Sequence, residues 1–329
     1  MTRRVVLAYP GGHGSSSAVS LLQEQGEVVA AAVDFGSGDV DLCALRRQAM
    51  ADGAAEIVVA DVREELANGY CLLALQANAL ILDRHPLAEA LARPLLASQL
   101  VATARDRNAS AVAHGGGDTL SSMIAALAPD LEIVELDVRG EQELSTSRTL
   151  WGRTADDGYR WTEDAVVNLG MPDEVVVTFE QGVPVAVDGE TVSVAEAVQR
   201  LGHRAGPHGI GRFEAYDVPG AAVLIAAHQE LESVTLDRDL ARFKRGVDRR
   251  WAELVHDGLW FSPLREPLDA FVRRAQERVS GEVRLVLHAG SATVAGLPGR
   301  RLRPVGRRHR RATGQTPLGN TQHPSTQAS

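Results

Sequence analysis

The strongest constraint on this chain is the order in which apolar runs and amphipathic stretches alternate through its first 138 residues. Residues 5–9, 28–35, 57–62, 111–113 and 132–138 are short runs rich in Val, Ile and Ala, as strands covered on both faces must be. Between them, residues 16–24, 42–51, 87–107 and 120–127 repeat apolar side chains at helical spacing. This β-α-β-α order predicts an α/β fold with a mostly parallel, doubly wound sheet. Ligands of such sheets sit beyond the carboxyl ends of the strands. Both glycine clusters, Gly11-Gly12 and Gly115-Gly116-Gly117, follow directly on expected strands.

The second half has a different texture. Residues 175–179 and 183–187 flank Glu180-Gln181-Gly182, and Asp188-Gly189 follows at once, which is the chemistry of consecutive hairpins. After Pro219-Gly220 the apolar run 221–226 is expected as a strand, and helices are expected through 236–255. A helix over 262–279 would carry Leu264, Leu268, Phe271, Ala275 and Val279 on one face. Residues 283–288 and 292–295 are expected to close the fold as a hairpin. The expected division is an α/β domain over 1–140, an α+β domain over 141–298 and a disordered tail over 299–329.

Composition narrows the function classes. No apolar run approaches the ~20 residues that a bilayer span needs, and the apolar start is broken by Pro10-Gly11-Gly12 before it reaches signal-peptide length. Cys43 and Cys71 are the only cysteines, too few for a disulfide framework or a closed zinc site; a reducing cytoplasm is the expected setting. The net charge is −9, but the tail carries seven arginines and no acid, so residues 1–298 sum to −16. An acidic body of this kind is not expected to bind nucleic acid specifically. Lys244 is the only lysine, so no lysine-bearing P-loop exists here.

The residues most able to carry chemistry follow the first strand. Ala8-Tyr9 lead into Pro10-Gly11-Gly12-His13-Gly14-Ser15-Ser16-Ser17 and then a helix. Glycines let backbone approach an anion, and hydroxyls and helix-start N–H groups donate to phosphate oxygens. A glycine-rich turn with a serine N-cap is equally a common structural solution.

The loop 8–16 resembles the Ala-Tyr-Ser-Gly-Gly-Leu-Asp-Thr-Ser loop of argininosuccinate synthases. Longer stretches carry the resemblance further: 74–80 (ALQANAL), 90–95 (ALARPL), 113–115 (AHG), 150–153 (LWGR), 179–185 (FEQGVPV), 243–246 (FKRG) and 258–266 (GLWFSPLRE). The chain is identified on these residues, spread over 4–296, as a divergent member of that family. The resemblance implies an adenine nucleotide alpha hydrolase-like nucleotide-binding domain followed by a synthetase and oligomerisation domain. It implies a cytoplasmic homotetramer and an arginine-biosynthetic ligase acting on citrulline, aspartate and ATP with Mg2+. In that reaction the ureido oxygen attacks the α-phosphate, pyrophosphate leaves, and the aspartate amine then displaces AMP.

Carried over residue by residue, the resemblance puts Ala8, Tyr9, Gly11, Gly12, Ser15, Ser16, Val33, His114 and Gly115 at ATP. It puts His85, Ala90, Asp118, Thr119, Ser145, Thr154 and Tyr216 at the amino-acid substrates, and assigns no protein metal ligand. Departures concentrate in the same loops. Pro10 replaces a serine and Gly14 an aspartate. The run after Gly115 is several residues shorter and lacks the family's lysine, asparagine and arginine, leaving Asp118 and Thr119 as substitutes, with Asp118 equally readable as a helix N-cap. His85 stands for a tyrosine and Glu89 for a threonine. These losses leave three readings open: a ligase of reduced or altered activity, a non-catalytic member acting through nucleotide binding or oligomerisation, or a related enzyme adenylating another acceptor.

Overall fold

Alternate residues of the first strand face opposite ways, and each set is completely covered. The computed structural model describes residues 3–38, 40–136, 145–156, 158–166 and 170–296; the expected tail lies outside the described residues. Strand β1 (Arg4–Ala8) leads to helix α1 (His13–Gln23), β2 (Glu27–Asp34), α2 (Leu42–Ala51) and β3 (Glu56–Asp61). After an excursion come α5 (Glu89–Asp106), β6 (Ala111–His114), α6 (Gly117–Leu127) and β7 (Glu132–Glu135). The five strands form a sheet in the order β3-β2-β1-β6-β7, with every pair parallel. Val5, Leu7 and Tyr9 pack beneath α1 and α2, whereas Val6 and Ala8 join the larger core on the other face. Each fully buried Val or Leu of this kind contributes about 1.5–3 kcal/mol.

Strand order reverses direction at β1, which has β2 on one side and β6 on the other. The two glycine turns leave the carboxyl ends of β1 and β6, at the switch point where a crevice opens.

The excursion between β3 and α5 is a broken helix. Short α3 (Arg63–Leu66) passes through a π turn at Ala67–Cys71 into α4 (Leu72–Gln76), and the small hairpin β4 (Leu80–Ile81) and β5 (His85–Pro86) follows. Beyond residue 144, β8 (Arg153–Thr154) precedes a second five-stranded sheet. That sheet contains β9 (Asp173–Glu180), β10 (Val183–Val187) and β11 (Glu190–Thr191), later joined by β13 (Gly281–His288) and β14 (Ser291–Gly296). Its order is β11-β10-β9-β13-β14, antiparallel throughout. Helices α7 (Val194–Ala205), α8 (Pro219–Thr235), α9 (Arg238–His256) and α10 (Arg265–Gln276) complete the half, and β12 (Tyr216–Asp217) pairs with β8.

Two expectations change. Residues 221–226 are helix, inside α8, not a strand. Pro219 at the first turn starts the helix, and a short apolar run that is covered all round reads the same in either state. Helix α10 is shorter than 262–279, and its apolar stripe divides. Ala275 and Val279 are buried, while Leu268 and Phe271 are half-buried and Leu264 is 40% exposed.

One polar cluster joins the halves. Lys244, 1% exposed on α9, donates to Gln76 O at 2.7 Å, to both Asp248 carboxylate oxygens at 2.8 and 2.9 Å, and pairs with Glu232 on α8 at 2.9 Å. Asn78 donates to Glu232 at 2.6 Å, and Gln276 on α10 donates to Glu232 at 2.6 Å and to Gln76 O at 3.2 Å. His228 lies 2.8 Å from both Asn78 Oδ1 and Gln276 Oε1. Four segments distant in sequence thus meet around a single ammonium group.

Candidate active site

At the end of β1 the Tyr9 N–H still bonds to Ala31 O at 2.8 Å, and Pro10 then takes the chain out of the sheet. Gly11 and Gly12 follow at φ +93° and +83°, a region that L side chains avoid. A Cβ at Gly11 would also lie 2.8 Å from Leu45 Cδ1, so that the leucine would have to turn aside. Helix α1 starts on Gly12 with no side-chain cap and no acid in its first turn, so the positive end of its dipole is uncompensated. The hydroxyls are turned inward. Ser15 is fully buried and donates to Gly11 O at 2.9 Å, and Ser16, half-buried, donates to Gly12 O at 3.5 Å. The Tyr9 hydroxyl donates to Asp52 at 2.6 Å. Burial and then that carboxylate hold its pKa far above the usual phenol value, so Tyr9 offers the site a ring wall rather than an acid.

Beside this turn, the ends of β1 and β2 enclose a narrow cleft. Tyr9, Val33 and Phe35 form one wall and Val40, Leu42 and Leu45 the other, leaving about 30 Å³. That space holds one or two waters, and a nucleobase enters only if the aliphatic wall moves.

The second glycine turn is organised by His114. Its ring is fully buried, Nδ1 accepts the Gly116 N–H at 3.1 Å, and Nε2 lies 3.3 Å from Ser121 Oγ. With Nδ1 accepting, the ring proton belongs on Nε2. Burial pushes the pKa down to about 4, so the imidazole is neutral at physiological pH. Gly115 is half-buried, and Gly117 takes φ +66° to start α6. The N-cap of α6 is Gly116, which makes no side-chain cap bond. Asp118 is therefore not the cap; it is an exposed acid in the first turn, where the helix dipole favours it. Thr119 packs its methyl on Gly258, where an added Cβ would meet Thr119 Cγ2 at 2.5 Å.

A third group gathers around the start of α5. Glu89 pairs with Arg93 at 3.0 Å and accepts from Thr146 Oγ1 at 3.3 Å. Tyr216 pairs with Thr154 across β12 and β8. Its hydroxyl pKa is raised by burial and then by the charge of Glu89, with Arg93 opposing. Residues 213 and 216 close a tight turn through two backbone hydrogen bonds. The ring of Phe213 then stands edge-on to His85, centroids 5.5 Å apart. His85 Nδ1 and Arg93 Nε are buried without a partner among the described residues. Buried polar atoms are rarely left so, and here one belongs to β5 and the other to α5. Ala90 lies on the buried side of α5; the side chain of Ser145 lies outside the described residues.

The segment through Thr146 links these groups. Thr146 reaches Glu89, Arg148 lines the strand-end cleft, and the Leu150 N–H bonds to Phe35 O at 2.8 Å. His85, Glu89, Thr154 and Tyr216 are thus brought together, while Thr119 is directed to the second half. Arg93 and Thr146 were missed in the sequence. Arg93 was legible as the i+4 partner of Glu89, whereas Thr146 is placed only by tertiary folding. The donor set does not fit a protein-held magnesium ion. The loop 9–17 contains no carboxylate, and no cluster of three or more His, Cys, Asp or Glu suited to a metal occurs among the described residues.

A parallel sheet with a glycine turn at its switch point, fused to an antiparallel α+β half, defines the class: a HUP domain with a C-terminal partner domain. Residues 4–150 match the model of the arginosuccinate synthase N-terminal HUP domain, and residues 141–301 match that of the arginosuccinate synthase C-terminal domain. The chain belongs to the argininosuccinate synthase family. No helix of the described residues is long and apolar enough to cross a membrane.

Proposed function

We propose that the chain performs an ATP-dependent carbon–nitrogen ligation of its family's type, on citrulline and aspartate or close analogues, at reduced rate. The observation that supports this reading is the convergence of His85, Glu89, Arg93, Thr154 and Tyr216, with unsatisfied polar atoms on two of them. Arg93, beside Glu89, offers a guanidinium to a substrate carboxylate, and Glu89 and Tyr216 offer acceptors to an amine or ureido group. The α1 start and the Gly11-Gly12 backbone receive phosphate oxygens. Mg2+ arrives on the nucleotide, held by its phosphates. The slow rate follows from the loop: Ser15 is committed to Gly11 O, residues 9–17 include neither a carboxylate nor a lysine, and the base cleft is closed.

That closed cleft also favours a second reading, in which the chain binds partners without catalysis. Self-association as a homotetramer belongs to both readings. Phe243, 65% exposed, stacks edge-on against Phe271 beside Leu264 and Leu268, an apolar face on α9 and α10 suited to a second copy. Light scattering tests the assembly. Pyrophosphate release with ATP, Mg2+, citrulline and aspartate tests the chemistry. Sustained release over many turnovers that needs both amino acids is expected, because citrulline alone frees at most one pyrophosphate per site before aspartate must displace AMP; release no faster than in an enzyme-free blank overturns the ligase reading.

A further inference from the structure

His228 is completely buried on α8, inside the cluster that joins the halves, and its two ring nitrogens face segments far apart in sequence. Nδ1 lies 2.8 Å from Asn78 Oδ1, and Nε2 lies 2.8 Å from Gln276 Oε1. The amide nitrogens fix which way round both amides lie. Asn78 Nδ2 donates to Glu232 Oε2 at 2.6 Å and faces Asp248 at 3.4 Å, while Gln276 Nε2 donates to Glu232 Oε1 at 2.6 Å and to Gln76 O at 3.2 Å. Turning either amide over would set its oxygen against Glu232. Two acceptors therefore flank the imidazole, and an amide oxygen has no hydrogen to donate.

A neutral imidazole carries one N–H, so one of these short contacts would set lone pair against lone pair, whereas an imidazolium donates from both nitrogens. The neighbouring carboxyls have no place for that proton. Glu232 Oε1 already faces Lys244 Nζ and Gln276 Nε2, its Oε2 faces Asn78 Nδ2, and both oxygens of Asp248 accept from Lys244. Charge points the same way: with His228 protonated, two cations meet two carboxylates, and without that proton one buried negative charge is uncompensated. Burial draws the pKa of the ring down, Glu232 at 3.8 Å raises it, Lys244 lowers it and the Gln276 oxygen raises it again. The equally short bond to Asn78 Oδ1 tips this balance to the charged ring.

We propose that His228 is a buried imidazolium whose proton acts as a clasp, tying Asn78 of the first half to α10 of the second. Asn78 holds left-handed backbone at φ +43°, two residues before the β4-β5 hairpin that carries His85 into the candidate active site. Loss of the proton turns one clasp bond into a repulsion, frees one of the two amides and loosens that hairpin. The clasp is a pH-sensitive device and does not depend on the ligase reading.

Nitrogen-15 NMR of the full chain labelled at histidine reads the ring directly. His228 is recognised by the loss of its signals in His228→Gln and by the Phe179 ring, centroids 5.9 Å apart. Two protonated ring nitrogens are expected at pH 7; one bare nitrogen at pH 6 and pH 7 would overturn the proposal whether or not the variant folds. Urea denaturation of both chains reads the linkage. A histidine whose folded pKa exceeds the unfolded value near 6.5 stabilises fully below that value and loses the contribution as pH rises through the folded pKa. The folding constant of the unaltered chain relative to His228→Gln should therefore fall by about tenfold or more from pH 6 to pH 9. Asp248, which burial raises to about 7, and Glu232 and Lys244 are common to both chains. A ratio that stays flat or rises with pH would overturn the clasp. Hydrogen exchange of the hairpin amides, corrected for its intrinsic rise with pH, should quicken over the same range in the unaltered chain and be fast throughout in His228→Gln; equal protection in the two chains would break the link to the hairpin.

Discussion

Replacing Lys244 by methionine isolates the energetics of the junction between the two halves. The change removes an ammonium that is 1% exposed and keeps most of the side-chain volume. Gln76 O would lose a donor at 2.7 Å, but Gln276 Nε2 remains at 3.2 Å. Glu232 would keep Asn78 and Gln276, both at 2.6 Å. Asp248 would fare worst, retaining only Asn78 at 3.4 Å in place of two bonds below 3 Å. Removing one member of a buried ion pair costs about 3–5 kcal/mol, out of a total stability of roughly 5–15 kcal/mol. A melting temperature lower by about 10 °C follows. Burial already raises the pKa of Asp248 to about 7 against the pull of Lys244; without the lysine it rises further. A carboxylate whose folded pKa lies above its unfolded value stabilises at low pH and loses that contribution as pH rises through the folded pKa. The deficit should therefore be larger at pH 8 than at pH 5. Lys244→Met with Asp248→Asn should recover about half of the loss, because the double change removes an uncompensated charge. Urea denaturation at the two pH values reads all of this. A single-variant cost below about 1 kcal/mol would refute the claim that the ammonium organises the junction.

Three other outcomes are expected. His114, held neutral by burial with a pKa of about 4, stabilises the fold above its unfolded value near 6.5 and loses that contribution as pH falls toward 4. That difference is worth about 3 kcal/mol, so His114→Gln should flatten acid denaturation between those values, and an unchanged acid transition would count against it. Ser193→Ala removes one side of the capping box with Glu196 and should lower stability by about 1 kcal/mol in chemical denaturation; a neutral result would mean that the box contributes nothing. Leu45→Ala should open the strand-end cleft and raise ATP affinity several-fold in equilibrium dialysis while lowering stability by about 2 kcal/mol; affinity unchanged in a folded variant would show that Leu45 does not close it.

The parallel sheet was legible because strands covered on both faces have no room for polar residues: β1 and β2 spell it out from Val5 to Val33. The same burial hid the first half of α8, where residues 219–227 are apolar and almost all covered, so that no 3.6-residue period shows there. Helix α7 was readable and overlooked, since Ser193 and Glu196 spell a capping box before an amphipathic run. Family motifs pointed to His85, Thr154 and Tyr216, but not to the way Thr146 and Arg93 close around Glu89. Those contacts depend on where the segment after β7 returns to α5. Nor could spacing show that Ser15 turns its hydroxyl inward, because a serine at a helix start offers the same pattern whichever way its rotamer points.

The junction has a consequence for anyone wishing to tag or immobilise this protein. Its only ε-amine is sealed between α8, α9 and the end of α4. Reagents such as succinimidyl esters, enzymes that acylate lysine, and isopeptide-forming modifiers therefore find no lysine handle on the native surface. Brisk labelling at Lys244 would report that the molecule had come apart.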